Sequence, residues 1–86
     1  MKTKSPLQQI PGIGPSITQD LNNIGIHTIA DLKGKNPYTL YELSNHFTSK
    51  TQDRCLLYVF RLAVYYAENN IHEPEKLKWW FWQDEQ

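Results

Sequence analysis

The chain has 86 residues, 40% of them hydrophobic, with nine basic and nine acidic side chains balancing to zero and a single cysteine. That length supports one domain with a modest core, and that composition excludes wholesale disorder. Zero net charge argues against a strong unaided DNA binder while leaving room for a local basic patch, and one cysteine excludes an internal disulfide.

The opening Met1-Lys2-Thr3-Lys4-Ser5 leads into no apolar run of signal-peptide length, and no stretch is long enough to span a membrane. A cytoplasmic location is therefore the expectation. In chain order, residues 6–10 predict a short helix that ends at Pro11-Gly12-Ile13-Gly14-Pro15. The two glycines permit a very tight turn, and Pro15 suits the first position of a second helix over residues 15–24, with Ile17, Leu21 and Ile24 at helical spacing. Gly25 occupies a C-cap position with Ile26 as its hydrophobic partner, and Thr28 caps a third helix through Leu32. Lys33-Gly34-Lys35-Asn36 is a turn, after which Pro37 opens a fourth helix carrying Leu40 and Leu43. Ser49 and Gln52 read as a capping box ahead of the longest helix, residues 51–69, and a Trp-rich segment over 74–82 closes the chain. Strand-type alternation is absent. The expected fold is all-α, one domain over residues 1–86, with about five to six helices.

Sliding the chain by about 22 residues exposes a repeat. Leu7 falls on Ile29, Ile10 on Leu32, Gly12 on Gly34, Gly14 on Asn36, Pro15 on Pro37 and Leu21 on Leu43. Asn is the residue that most readily replaces glycine at a left-handed position, so the match at 14 and 36 is of the right type. Two tandem units follow, residues 6–24 and 28–44, packed on the long C-terminal helix. The second is degenerate, because Lys35 stands where Ile13 stands in the first.

Leu7-x-x-Ile10-x-Gly12-Ile13-Gly14-x-x-x-Thr18-x-x-Leu21 resembles the helix-hairpin-helix motif of DNA repair and recombination proteins. Thr18 departs from that motif, which usually has a small Ala there. Through the segments Pro11 to Ile17, Asp53 to Arg61 and Leu77-Lys78-Trp79-Trp80-Phe81-Trp82, the whole chain resembles the bacterial pathogenicity-locus family of helix-hairpin-helix type. Some related sequences bear mitomycin-resistance labels, which hints at DNA damage. The motif implies backbone N–H groups of Gly14, Ser16 and Ile17 gripping a DNA phosphate at a positive helix end, with a monovalent cation held by carbonyls of the Gly12–Gly14 hairpin. No other cofactor is expected.

The candidate DNA-contacting residues are thus Gly12, Ile13, Gly14, Ser16 and Ile17 in the first hairpin, and Lys33, Gly34 and Lys35 in the second. The helix after the first hairpin lacks Lys and Arg, and its Asp20 would repel phosphate, so the second hairpin supplies the missing cations. Together the two would touch phosphates across the minor groove without base readout, giving weak, strongly salt-dependent binding. The blander alternative is that the first hairpin is only a compact joint and the lysines only complement a helix end.

On the long helix, Leu56, Val59, Phe60, Ala63, Val64 and Ala67 share an apolar face, and Cys55 reads as a small buried residue. Arg54, Arg61 and Glu68 recur opposite, beside Tyr58 and Tyr65, as a solvated face or a contact stripe. In the tail, two of the four aromatics are expected to latch onto the core, leaving the others exposed for a partner or for stacking on bases. Arg54, Arg61, Lys78, Trp80 and Trp82 are therefore additional candidate contacts, while Glu73, Glu75, Asp84 and Glu85 argue against an anionic membrane. His27, His46 and His72 are scattered, so neither a metal site nor a catalytic residue is expected, and the chain is not expected to be an enzyme. The reading is weak, sequence-independent binding of double-stranded DNA by a monomer in repair or maintenance. The alternative is a protein-interaction module on the same scaffold.

Overall fold

The computed structural model describes residues 5–83. The Met1–Lys4 opening and the acids Asp84 and Glu85 lie outside them. Three α-helices carry the architecture: α1 (Pro15–Asn23), α2 (Pro37–Thr48) and α3 (Arg54–Glu68). Short 3-10 segments flank them at Pro6–Gln9, Ala30–Leu32, Pro74–Leu77 and Trp79–Trp82. There is no strand among the described residues, in keeping with the all-α expectation, but three α-helices stand where five or six helices were expected. The expected short helices are the ones that differ. Each spans only three or four residues, too few to propagate an α-helical ladder, and takes the tighter 3-10 form.

The end of α1 follows from its sequence. Gly25 has φ +92, its N–H donates to the Asn22 carbonyl (3.1 Å), and the Ile26 N–H reaches back to the Leu21 carbonyl (2.9 Å). These are the paired bonds of a Schellman cap, and Ile26 is buried as its apolar partner. Thr28 caps the next segment as expected: its Oγ1 accepts from the Asp31 N–H (3.2 Å), and the Asp31 carboxylate accepts from Thr28 and His27 N–H groups.

The start of α3 differs from expectation. Asp53, not Ser49, caps the helix, accepting from the Cys55 N–H (2.9 Å). Ser49 instead ends α2 at φ +61, with its N–H on the His46 carbonyl and the Lys50 N–H on the Asn45 carbonyl. Gln52 turns back onto α2, where its Nε2 donates to Ser44 Oγ (2.8 Å) and its N–H to Asn45 Oδ1 (2.9 Å). The Tyr41 hydroxyl donates to the Gln52 carbonyl. A Ser-x-x-Gln pattern can serve a local cap, but here α2 offers Gln52 more partners than a helix start would.

All six residues of the expected α3 face are buried, and so are Leu57 and Leu62, both with no exposure. Helix α3 is therefore covered nearly all round, each fully buried Leu contributing about 1.5–3 kcal/mol. Leu62 lies beneath the first glycine turn: a Cβ placed on Gly12 would sit 3.8 Å from Leu62 Cδ2. Cys55 is exposed rather than buried, because it lies on the first turn of α3, beyond the packed stretch. Leu43 is exposed where its repeat partner Leu21 is fully buried. Helix α2 packs through Leu40, Tyr41 and Ser44 instead, so the repeat ends after its first helical turn.

Candidate functional site

The two turns have one backbone. In the first, the Ile10 N–H donates to the Leu7 carbonyl and the Ile13 N–H to the Ile10 carbonyl, both at 3.1 Å. Gly12 follows at φ +88, Gly14 is an extended helix N-cap at φ −105, Pro15 occupies the first turn of α1, and the Thr18 N–H closes onto the Gly14 carbonyl (3.0 Å). One repeat later, the Leu32 N–H donates to Ile29 (3.0 Å) and the Lys35 N–H to Leu32 (3.1 Å). Gly34 has φ +77, Asn36 is an extended N-cap at φ −89, and the Leu40 N–H closes onto the Asn36 carbonyl (3.1 Å). The left-handed position is thus Gly12 and Gly34, where glycine carries no steric cost. Gly14 and Asn36 match for a different reason than left-handedness: both are extended caps.

What fills each helix start separates them. Asn36 Oδ1 accepts from the Tyr38 N–H (2.9 Å) and the Thr39 N–H (3.4 Å), closing the α2 terminus with its own side chain. The Gly34 N–H donates to Glu68 Oε2 (2.8 Å), so a carboxylate already sits at the second turn. Gly14 has no side chain to do the same. Among the described residues, no acceptor meets the Ser16 and Ile17 N–H groups. The positive end of the α1 dipole is therefore open, and the turn bearing Lys33 and Lys35 is closed. Both turns abut α3, the first at Leu62 and the second at Glu68, about 9 Å apart along its axis at 1.5 Å per residue.

The remaining hairpin candidates divide by exposure. Ser16, Lys33 and Lys35 are exposed, whereas the Ile13 side chain is buried and offers only its backbone to a ligand. Ile17 is half-buried against the core. Thr18, where the resembling motif has Ala, is buried with its Oγ1 unpartnered among the described residues. A hydroxyl left this way costs about 1–3 kcal/mol. Partial burial raises the carboxyl of Asp20, on α1 itself, above its ordinary value.

The additional candidates form a separate cluster. The Trp79–Trp82 segment lies along α3 and covers Tyr58, Arg61 and Tyr65 in the middle of the Arg/Tyr stripe, while Arg54 and Glu68 at its two ends are exposed. Trp79 stacks on Tyr58 (6.4 Å between centroids, 2° between planes), and Trp82 packs on Tyr65 (5.4 Å). The Trp82 indole N–H donates to the Lys76 carbonyl (2.9 Å), and Arg61 Nη1 donates to the Trp82 carbonyl (2.6 Å). Arg61 also sits 5.6 Å from the Tyr58 ring, three residues back on α3. The latching pair is Trp79 and Trp82; Trp80 and Phe81 are 54% and 47% exposed, and Lys78 lies 5.8 Å from the Trp80 ring. Arg54 is exposed at the first turn of α3.

His72 is half-buried, stacked on Tyr66 (4.1 Å), while His27 and His46 are exposed. No three His, Cys, Asp or Glu among the described residues gather as a metal site, and no helix among them is long and apolar enough to cross a membrane. The Asp53 carboxylate raises the Cys55 thiol above its ordinary range, opposite to the shift an activated nucleophile needs. Sequence reasoning missed Asn36 and Glu68 as the groups that close the second turn. Asn36 had a signal, an Asx residue directly before a helix-opening proline. Glu68 had none, since its partner lies far along the chain.

A family model described as Cdd1, pathogenicity locus, matches residues 1–86. Mitomycin resistance protein McrB of Streptomyces lavendulae is 32% identical over 81 residues, covering 94% of this chain and 73% of that protein. No solved structure matches the chain. With the model spanning the full length, the chain belongs to the pathogenicity-locus family.

Proposed function

We propose that the chain binds the sugar–phosphate backbone of double-stranded DNA, weakly and without reading sequence, through helix-hairpin-helix units of which the first makes the principal contact. The observation that carries this reading is the open start of α1: Ser16 and Ile17 N–H groups at a positive helix end, with no capping side chain between them and an incoming anion. Backbone N–H groups fix a phosphate without distinguishing bases. The reading includes a monovalent cation held by carbonyls of the Gly12–Gly14 hairpin. Catalysis forms no part of the reading. The name of the mitomycin-resistance relative points the same way, to DNA repair or maintenance.

Titrating a short duplex at low salt while following amide NMR signals tests the proposal. Gly14, Ser16 and Ile17 should shift most, with Gly34 and Asn36 shifting less. If Ser16 and Ile17 stay unmoved at millimolar duplex, the DNA reading fails. A protein-interaction role would then take its place, favoured by Leu43 and Phe47, which stand 47% and 58% exposed one turn apart on α2.

A further inference from the structure

An open groove of about 540 Å³ runs between α3, the start of α2 and the Trp79–Trp82 segment. Its apolar walls are Pro37, Tyr65, Phe81 and Trp82, and its polar groups include Glu68 and Asn69. The rings are set at different angles: Trp82 tilts 43° from Tyr65, and Phe81 stands edge-on to Trp82 at 5.2 Å. Phe81 lines the groove and is 47% exposed, so part of its ring surface is open to solvent. Glu68 ties this groove to the second turn through the Gly34 N–H, so exposed Lys33 and Lys35 stand at one end of it. The charged side chains that line the groove itself are Arg61 and Glu68, which balance.

The geometry points to this groove as a site for an unpaired base of single-stranded nucleic acid, with the flanking phosphate reaching toward Lys33 and Lys35. Every base has a π-face that stacks on an aromatic ring, and polar edges that Glu68 Oε1 and Asn69 Oδ1 can meet while Glu68 Oε2 holds the Gly34 N–H and Asn69 Nδ2 the Tyr65 carbonyl. A proline-rich peptide would also suit aromatic walls, but it offers no anion to the two lysines, so the charge favours a nucleotide. The site goes beyond the duplex contact at the first hairpin and does not require it.

The test is an amide and indole NMR titration of the intact chain with a short oligothymidylate at low salt. Phe81, Trp82, Glu68 and Gln83 signals should shift and saturate. Phe81→Ala, at an exposed ring, should weaken that binding about fivefold or more with the rest of the amide map unchanged. Ile71→Ala, at an equally apolar side chain 88% exposed and outside the groove, should leave it unchanged. The proposal is overturned if the groove signals stay fixed at millimolar oligothymidylate, or if Phe81→Ala binds as tightly as the parent. Saturation of the same signals by a proline-rich peptide, with none by the oligonucleotide, would assign the groove to protein instead. Shifts confined to Ser16 and Ile17 would retain the duplex reading and remove this one.

Discussion

Gly14→Asn would graft onto the first turn the cap that the second already carries. The position accepts it, since φ −105 is extended backbone open to any residue and no heavy atom stands within 4 Å of a Cβ there. An Asn Oδ1 at this site takes the Ser16 and Ile17 N–H groups, as Asn36 takes those of Tyr38 and Thr39. Asn exceeds Gly as an N-cap by a few tenths of a kcal/mol, so Tm should rise by about 1–3 °C. Binding should move the other way. A hydrogen bond to a charged partner contributes about 1.5–3 kcal/mol, so losing one effective bond to phosphate weakens duplex affinity about tenfold or more. Fluorescence anisotropy with a labelled duplex, beside thermal unfolding by circular dichroism, reads both numbers. Opposite signs exclude misfolding as the cause. A higher Tm with unchanged duplex affinity would refute the claim that the open start of α1 holds the phosphate.

The converse substitution, Asn36→Gly, should cost a few tenths of a kcal/mol while freeing Tyr38 and Thr39 N–H groups beside Lys35; duplex affinity should rise several-fold, and the logarithmic salt slope should steepen by about one. Ser49→Gly relieves a left-handed residue at an exposed position and should stabilise the domain by about 0.5–1 kcal/mol in urea unfolding. Trp82→Ala removes the Tyr65 contact and the indole bond to Lys76, and should cost about 2 kcal/mol, whereas Trp80→Ala, at an exposed ring, should change stability by less than about 0.5 kcal/mol. Asp31 and Asp53 are held below the ordinary carboxylate value of 3.8, Asp31 by the His27 and Thr28 N–H groups and Asp53 by the Cys55 N–H. Stability from a lowered carboxylate is fully present above the unfolded value of 3.8 and is lost as pH falls from there through the lower folded value, so Asp31→Asn with Asp53→Asn should flatten the acid limb of a stability–pH curve.

Local chemistry made the turns legible in the sequence. A positive φ at Gly12 and Gly34 needs glycine, and a helix start tolerates Pro15 and Pro37, so the repeat in backbone form is also a repeat in letters. The Schellman cap at Gly25 was legible for the same reason. Contacts between distant segments were not. Ser49 and Gln52 spell a capping box, yet Ser44 and Asn45 on α2 claim the Gln52 amide. The seven-residue recurrence of Arg54, Arg61 and Glu68 looks like a solvated face because periodicity records which residues align, not what covers them. Trp82 takes up Arg61 and Gly34 bonds to Glu68, while Trp79 stacks on Tyr58 beside them, and none of the three is a sequence neighbour.

The same distance effect governs how charge and hydrogen-bond donors are shared out. Counted along the chain, Lys33 and Lys35 make the second turn the better phosphate site, and binding through lysines would be steeply salt-dependent. In the fold, Glu68 and Asn36 occupy that turn's donors, while the first turn keeps open donors and no cation of its own. Backbone N–H groups displace no condensed counterions by charge neutralisation, since only Lys and Arg contacts contribute to that slope. Duplex binding by this chain should therefore be weak and shallow in its salt dependence, and a steep slope would place the contact at Lys33 and Lys35 instead.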